Sequence, residues 1–192
     1  MNHALFALIN GYAGRNGTID SIAVAVAEYL PLLFIAYLGY LWFFREESRE
    51  EVLLTGFGVS LALTANLAIT LSYYHPRPFM EHAVNLLIQH APETSFPSDH
   101  ATFMLALSFM LASFRRFRGI GMLFIFLALA GGFARVFCGV HYPFDIAGSF
   151  TVAMAATGLS RSLLHAPLSA LSRVVLGRYD IIAAKLAAAK RQ

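Results

Sequence analysis

Residues 99–137 read DHATFMLALSFMLASFRRFRGIGMLFIFLALAGGFARVF. Two apolar runs, roughly 99–114 and 119–137, flank the basic turn Arg115-Arg116-Phe117-Arg118. About 20 mostly apolar residues make a helix long enough to cross a bilayer. The stretch therefore reads as two antiparallel membrane helices joined by a tight basic turn. Working outward, three more runs qualify, at roughly 22–44, 52–74 and 144–164. The run at 99–114 is short, so it extends past its apolar core or begins below the membrane surface. Pro31 interrupts the first run and is expected to kink it, because it removes one hydrogen bond. Residues 2–13 are apolar but too short to span, and read as an interfacial or re-entrant helix.

Composition agrees. Of the 192 residues, 58% are hydrophobic and 13% charged, against about 25% charged in a soluble domain. Mean hydropathy is +0.63. These values exclude a disordered or collagen-like chain and most soluble enzymes. Length permits one integral-membrane domain over 1–192. A single cysteine, Cys138, excludes an internal disulfide and a multi-cysteine metal site. The net charge of +3 does not point to nucleic acid, because the basic residues lie between apolar runs and form no hydrophilic stripe. Met1–Ile9 lacks Lys, Arg and a small-residue cleavage site, and is not expected to be a signal peptide. No repeat or low-complexity linker is visible.

In the tail, 166–192, Leu168, Leu171, Val175, Tyr179, Ile182 and Leu186 recur every three or four residues. Arg173, Arg178, Lys185, Lys190 and Arg191 occupy other faces. This predicts an amphipathic helix on an anionic membrane surface, or else a helix packed on the bundle. Positive charge concentrates on cytoplasmic loops. Placing 45–51, 115–118 and the tail there gathers Arg45, Arg49, Arg115, Arg116, Arg118, Arg161 and the five tail cations on that side. Only Arg15, Arg77 and Arg135 remain opposite. The N-terminus and the 75–98 and 138–143 loops are then extracytoplasmic.

The polar oddities lie on that outer side. The second span ends Tyr74-His75-Pro76-Arg77-Pro78, and the third begins Phe96-Pro97-Ser98-Asp99-His100. The fourth ends at Arg135, and the fifth opens His141-Tyr142-Pro143-Phe144-Asp145. Ionisable groups at membrane depth are costly and mark function. Ser98 sits where an N-cap belongs, and the unpaired N–H groups of a helix start attract anions. Arg77 and Arg135 add forked donors suited to phosphate oxygens. His141 and Asp145 are four apart, so a helical turn puts them on one face. A carboxylate on one ring nitrogen fixes the tautomer and leaves the other as nucleophile. Pro143 is tolerated in a first turn. His100 supplies an acid for the leaving oxygen. This is a phosphoryl-transfer constellation that needs no metal.

Arg77-Pro78, then Pro97-Ser98-Asp99-His100, then Arg135 with His141 and Asp145 downstream, resembles the signature of the type-2 phosphatidic acid phosphatase superfamily, which includes vanadium haloperoxidases. The resemblance covers about a third of the chain and implies an all-α polytopic membrane bundle. It assigns His141 as the nucleophile forming a phosphohistidine, Asp145 as its orienter and His100 as general acid. Arg77, Ser98 and Arg135 become the phosphate binders. Thr70 stands where the family often has Lys, so the clamp lacks one charge unless His75 or His82 substitutes. Asp99 stands for the usual Gly, and Ala134 for the usual Ser. Asp99 together with Gly139-Val140-His141-Tyr142-Pro143-Phe144-Asp145 resembles the bacterial undecaprenyl-diphosphatase branch. Members commonly have six spans where five are counted here.

The resemblance implies a bacterial plasma-membrane enzyme without cofactor. It would convert undecaprenyl diphosphate to the monophosphate on the outer side, keeping the lipid tail in the bilayer. The alternatives are another lipid phosphate, such as phosphatidylglycerophosphate or phosphatidic acid, and a phosphotransferase using the same site. A haem or transport protein with His ligands belongs to another class. His75, His82 and Asp99 are possible substrate contacts, although a carboxylate would repel a diphosphate, so Asp99 is expected to point away or to meet Arg or His. His90, Glu81 and Glu93 read as solvated loop residues. Tyr73, Tyr74 and Tyr142 read as an interfacial aromatic belt, Cys138 as packing and Arg161 as a snorkelling end residue.

Overall fold

A computed structural model describes residues 1–189. Lys190 and Arg191, counted among the tail cations, lie outside the described residues. The chain forms eight α-helices there: α1 (Asn2–Asn10), α2 (Gly17–Phe44), α3 (Arg49–Ser72), α4 (Pro78–Glu81), α5 (Asp99–Ser113), α6 (Arg118–Phe137), α7 (Pro143–Ser162) and α8 (His165–Ala189). Short 3-10 turns, Glu46–Ser48 and Arg115–Phe117, link α2 to α3 and α5 to α6. Of the segments, Gly17–Phe44, Glu46–Ser72 and Arg115–Phe137 are long and apolar enough to cross a membrane.

α2 begins five residues before the apolar run, because Asn16 caps it. Its side chain accepts from the N–H groups of Thr18 at 3.0 Å and Ile19 at 3.2 Å, two of the donors a helix start leaves unpaired. The helix continues through Pro31.

α5 is the axis of the bundle. It packs against α2, α3, α6 and α7, and Met104, Leu105, Leu107, Met110 and Leu111 are almost wholly buried. With 15 residues it is about 22 Å long, shorter than the roughly 30 Å of a hydrocarbon core. Its closeness to α6 depends on Gly121, where a Cβ would lie 2.3 Å from the backbone nitrogen of Ala112. The outward faces stay apolar: Ile22, Leu32, Ile35 and Phe43 on α2, with Met122, Phe126 and Phe133 on α6, are exposed. A shell this apolar suits lipid contact.

The basic turns meet at one end. Glu47 pairs with Arg45 at 2.9 Å and with Arg116 at 2.7 Å. The Arg161 guanidinium lies over the Phe114 ring at 4.5 Å. α8 packs on α3 and α7 at that end. Its buried strip is Ser169 and Ser172, with Leu168, Val175 and Tyr179 half-buried. Tyr179 meets Trp42 edge to face and lies beneath the Arg49 guanidinium. Leu171, Ile182 and Leu186, assigned by periodicity to the same apolar face, are exposed. The helix thus docks through its first half, where small serines permit close approach to α3, while its later apolar residues stay open.

α1 does more than lie at an interface. Asn10 is buried, and its amide N–H donates to the Asn85 carbonyl at 2.9 Å and the Phe137 carbonyl at 2.8 Å. Asn85 returns its backbone N–H to Asn10 Oδ1 at 2.9 Å and its side-chain amide to the Asn10 carbonyl at 3.1 Å. At the other end of α1, the Asn2 side chain accepts from the Phe144 N–H at 3.0 Å. The first nine helical residues therefore tie the long loop between α3 and α5 to the C-terminus of α6 and the start of α7.

Candidate active site

The ends of α3, α5, α6 and α7 converge at the end of the bundle opposite the basic turns. The loop after α3 is pinned by a bridge between Pro76 and Thr94 and by the Ser95 N–H donating to the His75 carbonyl at 2.6 Å. The loop between α6 and α7 turns through Gly139, whose φ of +87° suits a residue without Cβ. Asn85 O lies 3.0 Å from where that Cβ would be. Both loops deliver side chains inward: Arg77 and Ser95 from one, His141 from the other.

His141 is 2% exposed. Its Nδ1 lies 3.0 Å from the Ser95 carbonyl and 3.3 Å from Asp145 Oδ2. Its Nε2 lies 3.1 Å from Arg77 Nη1. A guanidinium only donates, so Nε2 accepts and the ring proton is on Nδ1. The lone pair of Nε2 is thereby turned toward the arginine. Burial, reinforced by the nearby charges of Arg135 and Arg77, holds the imidazole well below the usual histidine range. Both effects favour the neutral ring.

Asp145 is fully buried and serves two partners beyond His141. Its Oδ2 accepts from the Tyr142 N–H at 2.7 Å, closing the first turn of α7 as an N3 carboxylate does. It also accepts from the Ser95 hydroxyl. One oxygen thus both caps the helix and orients the imidazole. Its other oxygen, Oδ1, has no hydrogen-bond partner among the described residues.

Arg77 is 5% exposed. Nη1 also donates to the Val140 carbonyl at 3.0 Å, and Nη2 donates to Glu93 Oε1 at 3.1 Å. Arg135 is 2% exposed, and its Nη1 reaches only the Ala27 carbonyl, at 3.4 Å. That carbonyl is available because the residue four ahead is Pro31, which has no N–H to give it. The proline in α2 therefore supplies the backbone acceptor that holds Arg135. The Nε atoms of both arginines have no partner among the described residues. Buried guanidinium donors left unpaired are costly, and an anion seated between them would satisfy both.

Ser98 is the N-cap of α5, accepting from the Ala101 N–H at 3.5 Å. Its carbonyl is held by the Ser149 hydroxyl at 2.9 Å. His100 is half-buried and lines an apolar groove of ≈ 270 Å³ with Pro31, Ile35, Leu63, Asp99 and Phe103. The groove opens between α2, α3 and α5. Arg135, Arg77 and the titratable ring of His90 act electrostatically on both His100 and His141.

Other expected contacts sit elsewhere. Asp99 is turned to α3, where Asn66 Nδ2 donates to its Oδ1 at 2.6 Å, and the buried Asn66 is fixed in turn by the Thr102 hydroxyl at 2.9 Å. His82 packs on the His3 ring of α1, centroids 4.1 Å apart, away from Arg77. The structure does not bring it into the cluster. His75 lies 5.3 Å, ring to ring, from Tyr142. Tyr142 is no belt residue. It is buried on Phe6 of α1, and its hydroxyl donates to Glu81 at 3.4 Å. Burial and the Glu81 carboxylate push its phenol up to about 12. Glu93 is not simply solvated, since it pairs with Arg77 and lies 3.5 Å from His90 Nδ1.

Two residues of the site escaped the sequence reading. Ser95 contacts both His141 and Asp145, yet a lone serine in a polar loop carries no periodic signal. Asn66 did carry one, as a polar side chain inside an apolar span.

The clamp formed by Asn10 gives a first prediction. Asn10→Ala removes the donors to the buried Phe137 carbonyl and the partly buried Asn85 carbonyl, an expected cost of about 2 kcal/mol. Thermal unfolding in detergent should show a lowered Tm. An unchanged Tm would mean that α1 does not hold the loop between α3 and α5.

Comparison with known proteins places this arrangement. Residues 51–167 match the model of the PAP2 superfamily. The undecaprenyl-diphosphatase BcrC of Bacillus subtilis (strain 168) is 41% identical over 80% of this chain and 79% of its own. A putative undecaprenyl-diphosphatase, YbjG, of Escherichia coli (strain K12) is 29% identical over 80% and 78%. A bacitracin transport permease protein, BcrC, of Bacillus licheniformis is 28% identical over 91% and 89%. Among solved structures, the crystal structure of Aquifex aeolicus LpxE aligns with a TM-score of 0.70 and 25% identity over 83% of this chain and 93% of that one. With its motifs inside the matched region and its helices superposing on that structure, the chain belongs to the PAP2 superfamily.

Proposed function

We propose that the chain hydrolyses undecaprenyl diphosphate to undecaprenyl phosphate and inorganic phosphate, at the extracytoplasmic face of a bacterial plasma membrane. The observation that carries this reading is the buried relay of Asp145, Ser95, His141 and Arg77 beside Arg135. It is a neutral imidazole with its free nitrogen aimed at guanidinium donors. The relatives whose names state this activity support the choice of lipid.

His141 Nε2 attacks the terminal phosphorus, and the bond from that phosphorus to the bridging oxygen breaks. His100 gives its proton to the departing oxygen, releasing the lipid monophosphate. Arg77 and Arg135 neutralise the equatorial oxygens, with the N–H groups behind Ser98 as further donors. Asp145 and the Ser95 carbonyl hold the Nδ1 proton as positive charge develops on the ring. Water then attacks the phosphohistidine, His100 takes its proton, and phosphate leaves with the imidazole restored. The groove beside His100 supports a geometry in which the first isoprene units stay among α2, α3 and α5. Leaving the chain in lipid avoids an extraction cost of about 0.8 kcal/mol per CH₂. The five-span topology with this site outward follows from the distribution of basic residues. α5 and α7 cross as the two less apolar spans within the bundle.

The test is phosphate release from undecaprenyl diphosphate by purified protein in detergent. Wild type should turn over, and EDTA should leave the rate unchanged. No release by the wild type would refute the substrate, and a strict Mg²⁺ requirement would refute the metal-free route.

A further inference from the structure

Glu93 occupies an unexpected place. Its carboxylate lies 3.1 Å from Arg77 Nη2, on the fork whose other arm reaches His141 Nε2 at 3.1 Å. The glutamate side chain is 56% exposed whereas that of Arg77 is 6% exposed. The pair is therefore a buried cation meeting an anion that reaches in from solvent. Glu93 stands on the outer loop, immediately before Thr94 and Ser95, which the Pro76–Thr94 bridge and the Ser95–His75 hydrogen bond anchor. Its second neighbour, His90 Nδ1 at 3.5 Å, belongs to the same loop. Among the described residues, Arg77 and His90 are the carboxylate's charged partners.

A carboxylate and a phosphate oxygen make the same demand on a guanidinium fork. Both cannot hold Nη2 fully, and a phosphate seated on Arg77 would also be repelled by a charged Glu93 at this distance. We propose that Glu93 is an internal competitor for the phosphate seat. It satisfies Arg77 while the site is empty, gives way to the substrate's phosphate, and reclaims the arginine as inorganic phosphate departs. The inference rests on Arg77 being a phosphate binder in the reaction proposed above. It adds a residue that weakens the hold on product, which a site built from two buried arginines would otherwise retain.

The sign of one measurement tests it. Inorganic phosphate is titrated calorimetrically into the full-length protein in detergent and into Glu93→Gln and Glu93→Asp. The glutamine removes the competing charge but keeps the shape, so phosphate should bind roughly three- to tenfold more tightly, the scale of a partly exposed ion pair. Glu93→Asp keeps the charge and should stay nearer to wild type. Unchanged or weaker binding in Glu93→Gln overturns the proposal, because a glutamate that only oriented Arg77 would lower affinity when removed. Phosphate release by wild type separates the two readings. An active enzyme with no gain in Glu93→Gln refutes the competitor alone. Absence of both turnover and phosphate binding refutes the underlying phosphatase reading and this proposal with it.

Discussion

His141→Ala is expected to abolish phosphate release from undecaprenyl diphosphate, lowering kcat by at least about 10³-fold, while the purified protein remains folded. The expectation follows from the ring's position. Its Nε2 accepts from Arg77 and its Nδ1 is held by Ser95 and Asp145, so the ring links the arginine to the groups that orient it. Alanine leaves a small buried space, but removes no cap, because Asp145 still accepts from the Tyr142 N–H. The helical spectrum and detergent elution profile should match those of wild type. Rapid acid-free quenching of wild type with radiolabelled substrate should trap an alkali-stable, acid-labile phosphoprotein that the variant lacks. Full activity in His141→Ala would exclude the imidazole as nucleophile.

Arg135→Met should separate function from stability in opposite directions. The guanidinium is buried with one long hydrogen bond, to the Ala27 carbonyl, and an unpartnered Nε among the described residues. A buried cation so poorly paired destabilises the folded state, and an apolar residue of similar length should relieve it by about 1 kcal/mol or more. The same change removes a preorganised donor from the equatorial oxygens of the reacting phosphorus, a loss of about 10²–10³ in rate. Thermal unfolding and phosphate release measured on one preparation check both arms. A variant that is less stable and still active would show Arg135 to be a packing residue.

The helical hairpin around Arg115–Arg118 was readable because hydropathy changes abruptly there. The reading gave 99–114 and 119–137 where the helices run Asp99–Ser113 and Arg118–Phe137. The start of α2 was not readable from hydropathy, because Asn16-Gly17-Thr18 is polar and only the cap geometry shows that the helix begins there. Arg77, Ser98, Arg135, His141 and Asp145 stood out as charged or capping residues at the ends of apolar runs, where their cost demands a reason. Ser95, Glu93 and Asn10 did not stand out. Each acts through a partner distant along the chain, and each sits in a polar or weakly patterned segment where its residue type is unremarkable. The packing of His82 on His3 is hidden for the same reason: proximity to the motif along the chain gives no sign of the contact with α1. Pro31 draws attention as a helix-bending residue, and hydropathy gives no sign that its missing N–H also leaves free the carbonyl that Arg135 uses.

The latch made by Asn10 also bears on biogenesis. Its partners, Asn85 and Phe137, lie 75 and 127 positions later in the chain. The amino-terminal segment leaves the ribosome first, yet one of its partners follows α3 and the other ends α6. Closure of this latch thus waits until residue 137 has been made, only a few positions before His141 and Asp145 complete the site.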